Sequence, residues 1–532
     1  LVGSEMCIRD RLYWVAISMS KTIIIIGAGL AGLSAALQAA ENGCNVKLVS
    51  SLPSERAQSV MAEGGINAAL NTKDENDSPE EHFTDTIKAA CGLADPNAVW
   101  GMTQAAPELV HWLLKLGVKF NMSGYDDVDL RNFGGQKKKR TAFAQSDTGK
   151  QIMTAMIDAV RRKEASGMVE RFSHHSFLTL RLCDNICCGC VIRDEYSQET
   201  VELPGDAVIV ATGGMHGLFG NTTGSLSNTG EVTAELFRLG VPLANGEMIQ
   251  YHPTTVKCGG KRMLISEAAR GEGGRLFAMK DGKQWYFMEE KYPELGNLMP
   301  RDITAREIWK VSHESEVFLD MTEISDEIIS NKLSGLADDC MTYLHKDIRK
   351  EPVSVLPGIH YFMGGILVDE QHRTPIQNLY AAGECCAQYH GANRLGGNSL
   401  LGALYGGRVA AKSACEQADV VDLSCATQID FPPASQISEI KQLNKVMQET
   451  MGVVRNENTL LNGIQTVQAL TGNLPLLGMA VLKSALARKE SRGAHWREDY
   501  PKSNDDDYLK TTVARFDGKQ IQISFVPVPE RR

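Results

Sequence analysis

The sequence predicts an α/β fold in three parts: a parallel sheet flanked by helices, an α+β segment inserted into it, and a helical C-terminal domain. Three observations predict it. An isoleucine run, a glycine-rich turn, an amphipathic helix and a second apolar strand follow one another within residues 21–51. Two later apolar runs ending in small residues, "DAVIVATGG" at 206–214 and "NLYAAGE" at 378–384, read as further strands of the same sheet. Between about 247 and 357 the pattern gives way to segments rich in charge and glycine, and from about 435 to 490 it is helical. At 532 residues the chain is too long for one ordinary core and suggests about two to four domains. The expected division is a Rossmann-type domain in two parts, 19–246 and 358–417, a capping domain at 247–357, a linker at 418–431, and a helical domain with a polar tail at 432–532.

Composition narrows the function. A net charge of −10 argues against a nucleic-acid partner, because phosphate binding needs a basic surface, but leaves room for a local cationic pocket that takes small acids. Thirteen irregularly spaced cysteines do not make a disulfide framework, so a cytoplasmic setting is expected. No apolar run reaches the ~18 residues of a membrane span, so membrane contact is expected only through partner chains. Residues 1–18 hold a short apolar run with no small-residue cleavage site behind it, which argues against a signal peptide. The string "VGSEMCIRDR" within them looks like translated adapter DNA, and Met19 is the expected native start.

The elements follow in order. In "KTIIIIGAGLAGLSAALQAAENGCNVKLVSS" the four isoleucines form a buried strand, Gly27 makes the tight turn, Gly29 lets backbone approach a pyrophosphate, and Gly32 lets helix pack on strand. Ala28, Leu30 and Ala31 complete the turn, whose helix N-terminus faces the anion. The second strand ends in Ser50 and Ser51 rather than the acidic residue that grips a nicotinamide-dinucleotide ribose, which favours FAD. The next loop, "SERAQSVMAEGG" at 54–65, carries Ser59 and closes on Gly64 and Gly65, which permit close backbone approach to the cofactor. Ser78-Pro79 and Asp95-Pro96 each place a cap before a first-turn proline. The basic run at 137–140 reads as a solvated loop. Residues 177–194 read as a hairpin whose cysteines, one CxxC among them, are small apolar strand residues rather than metal ligands. No metal site is expected.

Five segments carry chemistry: "YHPTT" with His252, "ISEAARGEGG" with Ser266, Glu267 and Arg270, "MPRDITARE" with Arg301, "HYFMGGI" with His360, and "HGANRLGGNSLLG" with Arg394, Asn398 and Ser399. Two histidines and two arginines beside glycine-rich loops are what a small dicarboxylate requires, since guanidinium forks bind carboxylates bidentately. These motifs, with "ALARKESRGAHWREDYP" at 485–501, make the chain resemble the flavoprotein subunits of the succinate dehydrogenase and fumarate reductase family.

The resemblance implies FAD-dependent interconversion of fumarate and succinate. A hydride passes from flavin N5 to one alkene carbon, and a proton is delivered to its neighbour. It implies that His252, Ser266, His360 and Arg394 hold the carboxylates, that Arg301 is the acid, and that Glu267 and Arg270 restore its proton. It places the turn at 27–32, the loop at 50–65, Glu231, Glu384, Asn398, Ser399 and Leu400 around FAD. Two departures from the family pattern stand out: Glu231 where aspartate is usual, and Gln58 where many members carry the histidine that bonds covalently to FAD. Gln58 implies non-covalent FAD and favours fumarate reduction. It also raises the standing of L-aspartate oxidase, a relative that shares the "HPT", "RGEG" and "ESRG" motifs, while a non-catalytic electron-transfer or scaffold subunit is a third reading. The sequence has no CxxCH haem motif, and the resemblance implies an iron-sulfur partner subunit.

Overall fold

The computed structural model describes residues 20–125, 127–419, 429, 431 and 436–532. The expectations for residues 1–18 and Met19, and for most of the 418–431 linker, lie outside the described residues. The central sheet is parallel and five-stranded, in the order Leu379–Ala381, Ala207–Val210, Thr22–Ile26, Asn45–Ser50, Val169–Ser173. Its central strand shows why four isoleucines stand in a row. Ile23 and Ile25 face a helical layer, whereas Ile24 and Ile26 face the opposite side, so both faces demand apolar residues. The helical layer is built from Leu30–Glu41, Pro96–Leu116, Thr148–Ala165 and Asn398–Gln417.

The other face is covered by an antiparallel three-stranded sheet, His175–Cys183, Ile186–Asp194 and Thr200–Pro204. The expected hairpin is its first pair, turning at Asp184 and Asn185, both in the left-handed region. Cys187 and Cys190 are fully buried against Ile24 in the core, as small apolar strand residues. The expected caps form: Ser78 Oγ accepts from the Glu81 N–H, and Asp95 Oδ1 accepts from those of Asn97 and Ala98.

In the inserted region a three-stranded sheet joins Ile249–Cys258 to Lys261–Leu264 and Leu356–Phe362. A four-stranded sheet of Lys283–Trp285, Arg275–Lys280, Val317–Asp320 and Val353–Ser354 lies beyond it, with its own core around Leu276, Ile308 and Leu319. Three helices, Ile437–Thr450, Glu457–Val467 and Asn473–Ala487, follow near the C-terminus.

Two expectations are corrected. The basic run is not wholly solvated: Lys137 and Lys139 are exposed, but Arg140 is fully buried, paired with Asp77 at 2.8 Å and Asp85 at 3.0 Å. Two carboxylates arriving from distant helical and loop segments supply the counter-charge that makes its burial tolerable. The polar tail is also structured. Lys510–Phe516 and Ile521–Pro527 form a hairpin that pairs with Leu243–Ala244 and extends a sheet containing Gly365–Leu367 and Cys386–Ala387. One face of this hairpin is solvated, so its composition reads as polar although Val513 and Ala514 are buried.

Candidate active site and cofactor cleft

One cavity of about 840 Å³ joins the two sets of residues singled out in the sequence. Its cofactor side is built on the strand-turn-helix unit. Gly27 has φ +111, and a Cβ there would lie 2.2 Å from the Ala211 carbonyl oxygen; at Gly32 it would lie 1.8 Å from that of Gly27. Side chains at either position would force the helix off the strand. Gly27, Ala28, Gly29, Leu30 and Ala31 line the cavity, while Gly32 sits behind them against the turn. Gly29 offers no capping side chain, and the Leu30 N–H donates to Ser59 Oγ at 3.3 Å, which ties the loop at 50–65 to the helix start.

Ser50, Ser51, Gln58, Ser59, Gly64 and Gly65 line this side, as do Glu231, Glu384, Ser399 and Leu400. Ser50 Oγ is buried at the carboxyl end of its strand and has no partner, a free hydroxyl suited to a ribose. Glu384 is fixed by the Phe362 N–H at 3.1 Å. A helix N-terminus, an unpartnered hydroxyl and a cavity of this size fit a dinucleotide cofactor. Asn398 differs from its neighbours. Its side chain is consumed inside the protein, by Asn67 at 2.8 Å, His82 at 2.9 Å and Thr86 at 2.9 Å, and does not line the cavity. It supports the start of the helix that carries Ser399 and Leu400.

The polar end is assembled from five elements. Strand pairing is irregular at 250–251 and at 252–255, and the second irregularity spans Pro253, which has no N–H for the ladder. These irregularities set His252 and His360 on neighbouring strands with ring centroids 5.1 Å apart. Ser266 caps the short helix Glu267–Gly271, accepting from the Ala268 N–H, and Arg301 opens the helix Arg301–Val311. Arg394 precedes the helix Asn398–Gln417. His252, Ser266, Glu267, Arg301, His360 and Arg394 all line the cavity.

Arg301 donates through Nε and Nη2 to Glu267 Oε2, at 2.8 and 2.6 Å, and through Nη1 to Gln250 Oε1 at 3.1 Å. Arg270 stands behind, outside the lining, with Nη2 3.3 Å from Glu267 Oε1 and Nη1 donating to the Asn297 carbonyl at 2.6 Å. Burial opposes the Glu267 charge, but Arg301 and Arg270 outweigh it and hold the carboxyl below its ordinary range. Burial, and then Arg301, keep His252 and His360 neutral far below the usual imidazole range. His252 is held at Nδ1 by the Thr254 backbone, while its Nε2 has no partner; His360 is held at Nδ1 by Thr223 Oγ1 at 2.8 Å.

Arg394 is 4% exposed, lies 4.3 Å over the Tyr361 ring, has an unpartnered Nε, and makes no salt bridge among the described residues. Burial and the neighbouring Arg301 push it down to about 9. Arg301 and Arg270 thus share the one carboxylate of Glu267 and Arg394 has none, leaving two positive charges without a counter-ion at this end of the cavity.

Sequence reasoning missed Gln250 and Glu63. Gln250 is fully buried and bridges the site, accepting from Arg301 while donating to the Arg394 carbonyl at 2.8 Å. Its place two residues before His252 on one strand face was the available signal. Glu63 lines the cavity with one buried oxygen unpartnered; burial, then Asp339, push it up to about 8 against the pull of Arg131. Nothing in "MAEGG" distinguished it from a solvated loop carboxylate.

Residues 22–400 match the FAD binding domain family and 470–531 the fumarate reductase flavoprotein C-terminal family. The chain belongs to this family of FAD-dependent oxidoreductases, and its cofactor is FAD. In particular, it is 38% identical to the succinate dehydrogenase flavoprotein subunit of Bacillus subtilis, over 96% of this chain and 98% of that one. It is 32% identical to the 8-methylmenaquinol:fumarate reductase flavoprotein subunit of Wolinella succinogenes, over 96% and 92%. Among solved structures, a variant of the E. coli quinol fumarate reductase flavoprotein superposes with a TM-score of 0.87 at 27% identity, over 96% of this chain and 97% of that one. No helix among the described residues is long and apolar enough to cross a membrane.

Proposed function

We propose that the protein interconverts fumarate and succinate, working chiefly as a fumarate reductase, with FAD held non-covalently. The observation that carries the reading is the pair of uncompensated positive charges beside the flavin cleft, which calls for a dianion of small size. Arg394 supplies a buried fork to one carboxylate, and neutral His252, His360 and the Ser266 hydroxyl supply hydrogen bonds without adding charge. Bound FAD, when reduced, supplies the hydride.

Arg301 is the proton donor in this reading. Three of its five N–H bonds are engaged by Glu267 and Gln250, which orients the plane and leaves two for the substrate. A guanidinium gives up a proton reluctantly, so its loss must be made good at once. The contiguous series from Arg270 through Glu267 to Arg301, with steps of 3.3 and 2.6 Å, supports a relay that does so. Fixed cations near the substrate also stabilise the negative charge that develops as hydride arrives.

Gln58 lines the cavity at the start of the short turn Gln58–Met61, where an amide is too weak a nucleophile to bond the flavin. Of the described histidines lining the cavity, His175 is bound to the Ser173 carbonyl at 2.8 Å and lies 3.7 Å from Asp194, while His252 and His360 belong to the polar end. Loss of the covalent bond lowers the flavin potential and weighs against succinate oxidation, hence the preferred direction. Partners follow the same reading: an iron-sulfur subunit delivers electrons, and membrane contact, at the inner face of the cytoplasmic membrane, comes through partners alone. Turnover of the purified protein with fumarate, succinate and L-aspartate, using artificial dyes as electron donor and acceptor, tests the assignment. Turnover of L-aspartate alone, or of none of the three, sinks it.

A further inference from the structure

Away from the cleft, two cysteines separated by 371 positions meet with their sulfurs 2.8 Å apart. Cys44 is buried and immediately precedes the strand Asn45–Ser50; Cys415 is half-buried in the last turn of the helix Asn398–Gln417. Both are free thiols. The gap is less than an ångström beyond an S–S bond of about 2.05 Å, so bonding needs only a small approach of a strand end and a helix end already packed together. The surroundings favour attack by Cys44. The hydrogen bond shared with Cys415 lowers its pKa, burial opposes that, and the Lys21 ammonium, itself donating to the Cys415 carbonyl at 2.8 Å, adds to the lowering. By contrast, burial pushes the core thiol Cys187 up to about 12. Nothing in the catalytic reading uses either residue.

We propose that Cys44 and Cys415 form a redox-sensitive dithiol, a modification site that closes to a disulfide when a hydroperoxide oxidises it. The Cys44 thiolate attacks the O–O bond, taking one oxygen as sulfenic acid while the peroxide's other oxygen leaves as alkoxide or hydroxide and takes up a proton. The Cys415 thiol then attacks the sulfenic sulfur, forming the S–S bond as its own proton passes to the departing hydroxyl, which leaves as water. Two thiols are oxidised by two electrons, and one peroxide is reduced.

The bond would join the ends, remote from the cavity, of two elements that hold the cofactor. The strand Asn45–Ser50 delivers Ser50 to the cavity, and the helix Asn398–Gln417 delivers Ser399 and Leu400. Cross-linking them limits the separation that lets FAD leave, so the oxidised protein should lose FAD several-fold more slowly on warming than the reduced one.

The test uses holoprotein reduced with dithiothreitol, desalted, treated with a few equivalents of hydrogen peroxide, alkylated, and digested without reductant. Mass spectrometry is expected to find the Cys44 and Cys415 peptides joined, with FAD fluorescence appearing more slowly in a parallel heating experiment and dithiothreitol reversing both effects. In Cys44→Ser and Cys415→Ser the joined peptide and the difference in release rate should both vanish. Recovery of both residues as alkylated thiols after peroxide treatment overturns the proposal. So does Cys44 found as sulfinic acid beside a free Cys415, or FAD release unaltered in protein that carries the joined peptide.

Discussion

Replacing Arg394 with methionine separates ligand binding from folding. The guanidinium is buried, has no carboxylate partner among the described residues, and is pushed down to about 9 by burial and by Arg301. The ligand-free protein therefore carries a desolvated charge that nothing compensates. An apolar side chain of similar volume at such a position is neutral to stabilising by about 1–4 kcal/mol, less about 0.5–2 kcal/mol for the cation–π attraction to the Tyr361 ring that methionine cannot make. With a dicarboxylate bound the balance reverses, because a buried carboxylate then loses its charged fork at a cost of about 2–5 kcal/mol. That corresponds to roughly 30-fold to 4,000-fold weaker binding. Titration of malonate, followed by the flavin absorbance difference, measures the affinity, and thermal melting without ligand measures stability. The expected pattern is a large loss of affinity with an unchanged or raised melting temperature and full FAD content. Unchanged malonate affinity would place the carboxylate elsewhere. A sharp fall in ligand-free stability would mean that Arg394 holds the fold rather than the substrate.

Arg301→Ala and Arg301→Gln should abolish fumarate reduction while FAD stays bound, with Arg301→Lys retaining a trace; near-normal kcat in the alanine variant removes Arg301 from the proton path. Glu63→Gln should alter the pH dependence of stability, measured as melting temperature across pH. Because the folded carboxyl is raised to about 8, wild-type stability is full below the unfolded value near 4.5 and falls as pH rises through about 8. The variant should match the wild type at pH 4.5 and exceed it at pH 8, and parallel curves would contradict the assignment. Arg140→Met should destabilise by about 3–5 kcal/mol in denaturant unfolding, since Asp77 and Asp85 are left buried without their cation; a loss below about 1 kcal/mol would show that water reaches them. Acid precipitation should release all the flavin to the supernatant, and a denatured protein band that still fluoresces would disprove the role given to Gln58.

The sequence by itself determined what depends on neighbours in the chain. The strand, turn and helix around Gly27 and Gly32, the caps at Ser78 and Asp95, and the hairpin through Asp184 and Asn185 are local arrangements, in which side-chain period and backbone freedom act over a few residues. The hairpin at 510–527 was legible on the same terms, from alternation either side of Asp517-Gly518, but its exposed face disguised it as a tail. Site residues could be named one by one from their motifs, but not joined. Only the tertiary structure brings Gln250 to Arg301 and Arg394, strips water from Arg394 and Glu63, and assigns Arg140 to the core and Asn398 to a support role. The reason is physical: burial and counter-charge belong to the space around a side chain, and that space is filled by segments tens to hundreds of residues away. A charged residue in a polar loop has the same local sequence signature whether the fold later covers it or leaves it in water.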